Sequence, residues 1–503
     1  MPQWVLGPKD FIKGIGISEE LGGFWDDQIA IDTERSTDNN TVGVLRSGYA
    51  SSDIGTLTTL PTRVAKSVQS STNTGNILLF GGGVKGYRVD SGNVLAGEAD
   101  AVSAFSFVSG AYNGVNGMGY LSSVSGNQFW ASMAMSAGVD RLIQIDTILT
   151  NPSIADAGTS AFNGTNVPHT PFLKNNILWW GDKNQVAKLT TDTGLTLNTL
   201  DIPLSFVIQS ISEYDKYLAI GATNRDSATS TESKLFLWDM ISDSWNFEYS
   251  VPYALVQLKN ERGTLYLYGT DNTNFIVSRF NGTSIEHLHT QRNTRLGLRF
   301  SFNTDSVDIT KNKHFLSLRR VSAGSYTGGV VGSIGSFLPI ETPVFNMPFQ
   351  AISADSTGVV PGALVVGDSE KVYQAYQSGS TYGLSVFKTG NQVSALGTTV
   401  ELDAYFNGSA NLKKLNSIRF EFDPLASGDQ VDLYDFVDNE FGVISANSST
   451  VSRLNDASAV SIDNSIRFSD LGAETSRTFM MGKQFRQYRL GINFVAGNMR
   501  IRK

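Results

Sequence analysis

Seven short apolar runs recur along this chain. They begin near Asn76, Asn127, Asn175, Lys216, Gly263, His314 and Gly362, at steps of 51, 48, 41, 47, 51 and 48 residues. Each ends in a turn rich in Gly, Asp or Asn, and most re-enter an apolar strand. A period of about 40–50 residues that carries strands and turns belongs to a β-propeller blade. The spacing therefore predicts an all-β chain, a seven-bladed β-propeller between about Val64 and Lys388, and a function based on a surface or scaffold.

The units repeat a hairpin. Asn76–Phe80 turns at Gly81–Gly83 and returns as Gly86–Asp90, Asn176–Trp180 returns as Val186–Thr190, and Lys216–Ala222 returns as Lys234–Asp239. Asn127–Ser132 returns as Arg141–Asp146, Gly263–Gly269 as Phe275–Phe280, and Gly362–Val366 as Val372–Tyr376. In the sixth unit, which His314 opens, the Gly/Ser-rich stretch Ser322–Ser336 obscures the return. An extra apolar strand precedes several units, as at Phe206–Ser212, Ala254–Leu258 and Pro348–Ser353. The pattern is a four-stranded antiparallel sheet per unit. Its imperfect alternation fits blades that pack on both faces, and its β-branched and aromatic residues favour strand over helix. Asp10–Gly22 is the best helical stretch, but Gly14, Gly16, Gly22 and Gly23 argue against a long helix.

The two ends depart from the repeat. Residues 1–60 hold short strands such as Gln28–Asp32 and Val42–Leu45. They suit either a ring-closing strand, since closure removes exposed sheet edges, or an arm that docks on a partner. Residues 61–389 form the propeller. Residues 390–503 carry longer strands at Thr399–Phe406, Asn416–Phe422, Gln430–Val437, Ser465–Phe468, Gln487–Phe494 and Met499–Arg502. These predict a C-terminal β-sandwich domain of jelly-roll or immunoglobulin-like type, long enough to fold alone, with the boundary in Lys388–Ala395. The last strand is expected to pair with Gln487–Phe494.

Composition narrows the chemistry. Charged residues are 17% of the chain, against about 25% in an average domain; Gly, Ser, Thr and Asn take their place in turns and exposed strand faces. The net charge of −8 argues against free nucleic acid as a partner, because phosphate binding needs a basic field. There is no cysteine, which removes disulfides, thiolate catalysis and Cys-ligated zinc. Met1–Asp10 lacks the basic-then-apolar pattern of a secretory leader, and no apolar run approaches the ~20 residues of a membrane span.

Each motif that could serve catalysis, a metal or a cofactor also has a structural reading. Gly81–Gly86 matches G-x-G-x-x-G, but a strand follows where a dinucleotide site needs a helix, so it reads as a hairpin turn. His287 and His289 share one strand face and could bind a metal as a pair, yet a site needs three or four ligands; two polar residues on a blade face is the favoured reading. His314 reads as structural. Ser52–Thr56 and Ser353–Gly358 are weak echoes of an Asp-box turn. Phe-Asn-Gly-Thr/Ser recurs at Phe162–Thr165, Phe280–Thr283 and Phe406–Ser409 and reads as a hairpin loop rather than a glycan acceptor. Asp239 reads as a turn residue. Trp238 and Trp245 read as packing between blades, with sugar stacking as the sharper alternative. No catalytic, cofactor or metal residue is assigned.

Three strings carry a family resemblance: KLFLWDMISDSWNFEYSVPYALVQLKNERGTLYLYGT at Lys234–Thr270, FIVSRFNGTS at Phe275–Ser284 and KKLNSIRFEFDPLASGDQVDLYDFVD at Lys413–Asp438. The first two resemble propeller blades of structural proteins from tailed bacteriophages, and the third is similar to sandwich modules that follow such propellers in phage tail and tail-tip proteins. The resemblance spans about residues 200–440 and transfers no catalytic residue. It implies a non-enzymatic virion structural protein made in the host cytoplasm, a multi-copy part of a tail nozzle, tip or baseplate. The implied partners are copies of itself in a ring and other tail proteins. Arg500, Arg502 and Lys503 would then be free to meet an acidic patch on a neighbour. Two alternatives stay open: an adhesin for a host surface glycan, and a glycan-degrading enzyme with acids and arginines at the channel mouth.

Overall fold

The computed structural model describes residues 25–28, 31–32, 45–47, 49–67, 76–91, 102–106, 112–123, 126–146, 154–190, 194–224, 232–271, 274–290, 296–310, 313–322, 331–339, 344–346, 359–367, 371–392, 395–404, 413–423, 430–437, 451–454, 476–485, 488–496 and 500–501. Every element among them is a β-strand. Asp10–Gly22, Pro348–Ser353, Ser353–Gly358, Phe406–Ser409 and Ser465–Phe468 lie outside the described residues.

Seven antiparallel meanders form the blades. Blade 1 is Arg63–Lys66, Asn76–Gly82, Lys85–Ser91 and Val102–Ser106; blade 2 is Tyr112–Ser123, Gly126–Met135, Arg141–Asp146 and Ile154–Ala161. Blade 3 is Pro171–Lys174, Ile177–Asp182, Gln185–Leu189 and Leu195–Asp201; blade 4 is Phe206–Tyr214, Tyr217–Asn224, Ser233–Trp238 and Phe247–Val251. Blade 5 is Ala254–Glu261, Thr264–Thr270, Phe275–Phe280 and Ile285–Thr290. In blade 6, Leu296–Arg299 and Val307–Thr310 both pair with Lys313–Ser322, which is followed by Val331–Leu338 and Val344–Asn346. Blade 7 is Val359–Val366, Val372–Ser378, Thr381–Gln392 and, from the other end of the sequence, Tyr49–Leu57. The first strands of successive blades are neighbours, and Val359–Val366 meets Arg63–Lys66 to complete the ring.

The core lies between blades. In Tyr217–Asn224 the side chains alternate: Leu218, Ile220 and Ala222 pack toward Trp179 of blade 3, while Ala219 packs toward Leu255 and Leu258 of blade 5. Both faces are dry, so the strand reads as a continuous apolar run. Gly221 sits where blade 5 presses in, and a Cβ there would lie 2.4 Å from Leu255 Cδ2. Glycine in mid-strand marks that close approach.

Closure uses the N-terminal strand. Tyr49–Leu57 is the outermost strand of blade 7, with Ser52 opposite Val386 and Asp53 opposite Ser385. Asp53 accepts hydrogen bonds from Ser385 Oγ at 2.6 Å and Tyr376 Oη at 3.0 Å. Burial and the Asp53 carboxylate push the Tyr376 phenol up to about 12, so it remains a donor. Ser52–Thr56 is thus mid-strand and not an Asp-box turn. Beyond it, the Thr58 and Thr59 amides donate to Tyr87 Oη of blade 1 at 2.9 and 3.0 Å.

Two further expectations within the ring need correction. Gly362–Val366 is the innermost strand of its blade, not the second as in the other units, because the chain's start supplies the fourth strand and blade 7 needs only three of its own. In the sixth unit, the second half of Ser322–Ser336 is strand: Gly335 and Ser333 stand opposite Leu316 and Leu318, small residues facing large ones.

Beyond the ring, Ala395–Ala404 pairs with Tyr488–Ala496, which pairs with Gln430–Val437, which pairs with Val451–Leu454. Lys413–Glu421 pairs separately with Ser476–Phe485. Trp25–Gln28 adds an edge strand to Ala395–Ala404. The last strand, Arg500–Ile501, pairs with Leu45–Ser47 rather than with the 487–494 segment, placing Arg500 opposite Arg46.

Candidate functional site

One small hollow is lined from blades 1, 3, 4, 5 and 6 by Arg63, Thr170, Gln209, Gln257 and Asp305, which puts it at the centre of the ring. β-Bulges set two of these positions. The register slips between Ile208 and Ser210 in blade 4 and between Leu255 and Gln257 in blade 5, and such a bulge re-aims a side chain. Blade 6 goes further, because its inner strand is interrupted by Phe300–Ser306.

Asp305 on that insert fastens three blades. Its amide donates to Thr62 O at 2.9 Å, and its carbonyl accepts from Leu364 N at 2.8 Å. Its carboxylate meets Arg63 Nη1 at 3.2 Å and accepts from Val64 N at 2.9 Å. Gln257 Oε1 accepts from Ser306 N at 3.1 Å and Val307 N at 3.0 Å, anchoring the return of the insert. The cavity left between these groups is about 10 Å³, room for about one water molecule. Its one carboxylate and one guanidinium neutralise each other. These bonds staple neighbouring blades together at this point of the ring.

A second polar cluster lies where blade 2 meets blade 3. His169 is fully buried and stacks on Phe162 at 4.0 Å. Its Nδ1 donates to Gly181 O at 2.7 Å, and its Nε2 lies 2.9 Å from Asp140 Oδ2. Asp140 also accepts from the Asn166 and Val167 amides and from Asn116 Nδ2. Asp182 receives the amides of Asn163 and Gly164, both at 2.7 Å. Burial raises the Asp140 carboxyl, but the hydrogen bonds from His169, Asn166 and Val167 outweigh it and hold the group below its ordinary value. Phe162–Thr165 is therefore a loop wrapped round a carboxylate and not a two-residue hairpin. Phe280–Thr283 does turn a hairpin, with Phe280 opposite Ile285 and Gly282 at φ +98°.

The sequence-selected residues disperse. Trp238 is buried, donates from Nε1 to Ser242 O at 2.7 Å and meets Trp179 edge-on, so it presents no face to a sugar. Trp245 is half-buried, edge-on to Phe236 at 5.2 Å. Asp239 accepts the Ser242 and Ile241 amides, which hold its carboxyl well below the usual range, as befits a turn residue. Gly81–Gly86 forms a hairpin with Gly82 opposite Lys85. Val277 and Ser278 stand opposite His289 and His287, so Leu288 is the extra residue of a bulge between the two histidines. His287 contacts Thr290, while His289 packs among Phe275, Phe337 and Phe345. Among the described residues no cluster of three His, Asp or Glu could hold a metal. Arg500 lies in the strand beside Arg46; Arg502 and Lys503 lie outside the described residues. The Asp140–His169–Asp182 cluster was not foreseen, since its members come from different blades and only Asn163-Gly164 hinted at an unusual loop.

His314 is buried, with its Nδ1 hydrogen-bonded to Tyr268 Oη at 2.7 Å and its Nε2 3.3 Å from Glu261. Burial lowers its pKa despite Glu261. An unfolded histidine titrates near 6.5, so on acidification the unfolded chain takes up this proton first. Stability is therefore full above about pH 6.5 and falls below it. Thermal midpoints between pH 7.5 and 5 are expected to drop for the native chain and to fall less steeply for His314→Gln; equal slopes would contradict this.

No protein-family model matches the chain, and no curated protein does. Among solved structures it is similar to BamB from Moraxella catarrhalis, at 15% identity and a TM-score of 0.36, over 67% of this chain and 97% of that one. It is also similar to a chain of the Mitotic Checkpoint Complex, at 10% identity and a TM-score of 0.42, over 71% and 95%. A third is an exo-beta-1,3-galactanase from Phanerochaete chrysosporium, at 10% identity and a TM-score of 0.30, over 68% and 99%. At these values none of them speaks to what this chain binds or does.

Proposed function

We propose that this chain is a non-enzymatic structural protein of a tailed-phage virion, present in several copies as a rigid part of the tail nozzle, tip or baseplate. The observation that carries the reading is the use of the ring axis. Where propellers hold ligands, this one places Asp305, Arg63 and Gln257 in bonds that tie blades together. A disc stiffened in this way suits load and docking. The blade strings Lys234–Thr270 and Phe275–Ser284 support the same reading by resemblance.

The C-terminal strands supply the docking module in this proposal. The sheet built on Ala395–Ala404 and Tyr488–Ala496 faces the pair Lys413–Glu421 and Ser476–Phe485 as a β-sandwich, and Arg500, Arg502 and Lys503 meet an acidic neighbour. Copies associate as a closed ring, the expected symmetry for a repeated component.

Mass spectrometry of purified virions tests this, together with sizing of the isolated protein over a concentration series. The expected result is several copies per particle and a ring-sized species at high concentration. A monomer at every concentration, with no copies in virions, would contradict it.

A further inference from the structure

The insert Phe300–Ser306 borders a second hollow of about 310 Å³, at the small end of the range for ligand pockets. Two arginines line it, Arg299 and Arg319, and they stand directly opposite each other on paired strands. Residues so paired project from the same face with Cβ atoms about 5 Å apart. Like charges in that arrangement repel. Both side chains are half-buried, Arg319 Nε is buried without an acceptor, and among the described residues neither guanidinium meets a carboxylate. Two other arginines of the ring do meet carboxylates, Arg63 with Asp305 and Arg279 with Glu286.

The rest of the lining defines what would fill the gap. Thr62, Ser301 and Thr304 bring hydroxyls, and Val360, Pro361 and Phe302 bring an apolar wall. Phe302 is 53% exposed, which leaves it open to stacking. We propose that this hollow binds an acidic sugar. The carboxylate bridges Arg299 and Arg319, whose planar forks match it; the ring hydroxyls meet Thr62, Ser301 and Thr304; and an apolar sugar face lies on Phe302. An anion between the arginines would also turn their repulsion into attraction. Glycan recognition is thereby located between blades 6, 7 and 1, away from Trp238 and Trp245.

The test is saturation-transfer NMR and calorimetry on the full chain with glucuronic acid, galacturonic acid and N-acetylneuraminic acid, with glucose and sodium sulfate as controls. At least one acid is expected to bind and glucose not to bind. Arg299→Gln and Arg319→Gln should each weaken binding at least tenfold, and Phe302→Ala several-fold at an unchanged melting midpoint. Without ligand, either arginine variant should melt at or above the native midpoint, because repulsion is relieved; the bound acid should raise the midpoint of the native chain alone. Three results would overturn the proposal: no acid binding at millimolar concentration, equal binding by the double variant, or sulfate binding as tightly as every sugar, which would leave a simple anion site.

Discussion

A chain that starts at residue 58 is expected to lose cooperative thermal unfolding and to aggregate, whereas one that starts at residue 48 keeps the propeller transition. The first truncation removes the fourth strand of blade 7. It leaves the backbone of Thr381–Gln392 unpaired along its outer edge, a template for association with other chains. It also removes Leu57 and Ile54 from the core shared by blades 7 and 1, and Asp53 from Tyr376 and Ser385. Folded domains hold a margin of only about 5–15 kcal/mol, and a whole blade strand lies beyond that margin. The second truncation removes Trp25–Gln28, Ile31–Asp32 and Leu45–Ser47, which pair outside the ring. Circular dichroism melts with size-exclusion chromatography separate the two. Cooperative melting of the shorter chain near the native temperature would contradict the role given to Tyr49–Leu57.

His169→Leu is expected to cost about 3–5 kcal/mol, the range for leaving a buried charge without its partner. Asp140 and Asp182 have side chains 0% and 1% exposed, so neither carboxylate can turn to water when the imidazole is gone. The double variant His169→Leu/Asp140→Leu should lose less than the two single losses added, because the second change removes the stranded charge. The Asp140 carboxyl is held below its unfolded value near 3.9, so its contribution is full above about pH 4 and fades as pH falls further. Asp140→Asn should therefore flatten the acid limb of a denaturant-midpoint series. A loss under about 1 kcal/mol for His169→Leu, small against the 3–5 kcal/mol range, would show that the cluster is not a lock between blades.

The repeat was legible because each second strand is dry on both faces and returns through a tight turn. Asn76–Phe80, Asn176–Trp180 and Lys216–Ala222 needed no partner to be recognised as strands. The register of blade 7 was not legible, because its last strand comes from the other end of the chain and no local pattern records that pairing. Blade 6 was obscured for a related reason: Gly335 and Ser333 look like loop residues until Leu316 and Leu318 are placed opposite them. The terminal strand was misjudged in the same way, since Arg500–Ile501 takes its partner from Leu45–Ser47. The polar interior was the hardest part to read. Asp305, Arg63 and Gln257, or Asp140, His169 and Asp182, are ordinary residues until the ring brings their blades together, and the aromatic pair Trp238/Trp245 drew attention to a site that packing largely fills.

The closed ring is tested most directly by a crosslink at its seam. The chain has no cysteine, so Ser52→Cys with Val386→Cys introduces one unique pair, and these residues stand directly opposite each other. Opposed strand positions lie within the ~4.4–6.8 Å Cα separation that a disulfide needs. Mild oxidation is expected to give a monomer with altered mobility on a non-reducing gel. Its melting midpoint should rise, since closing so long a loop contributes on the order of 5 kcal/mol in the chain-entropy account. An uncrosslinked monomer would contradict closure by Tyr49–Leu57, and a disulfide-linked dimer would show that the strand closes the ring of a neighbouring copy instead.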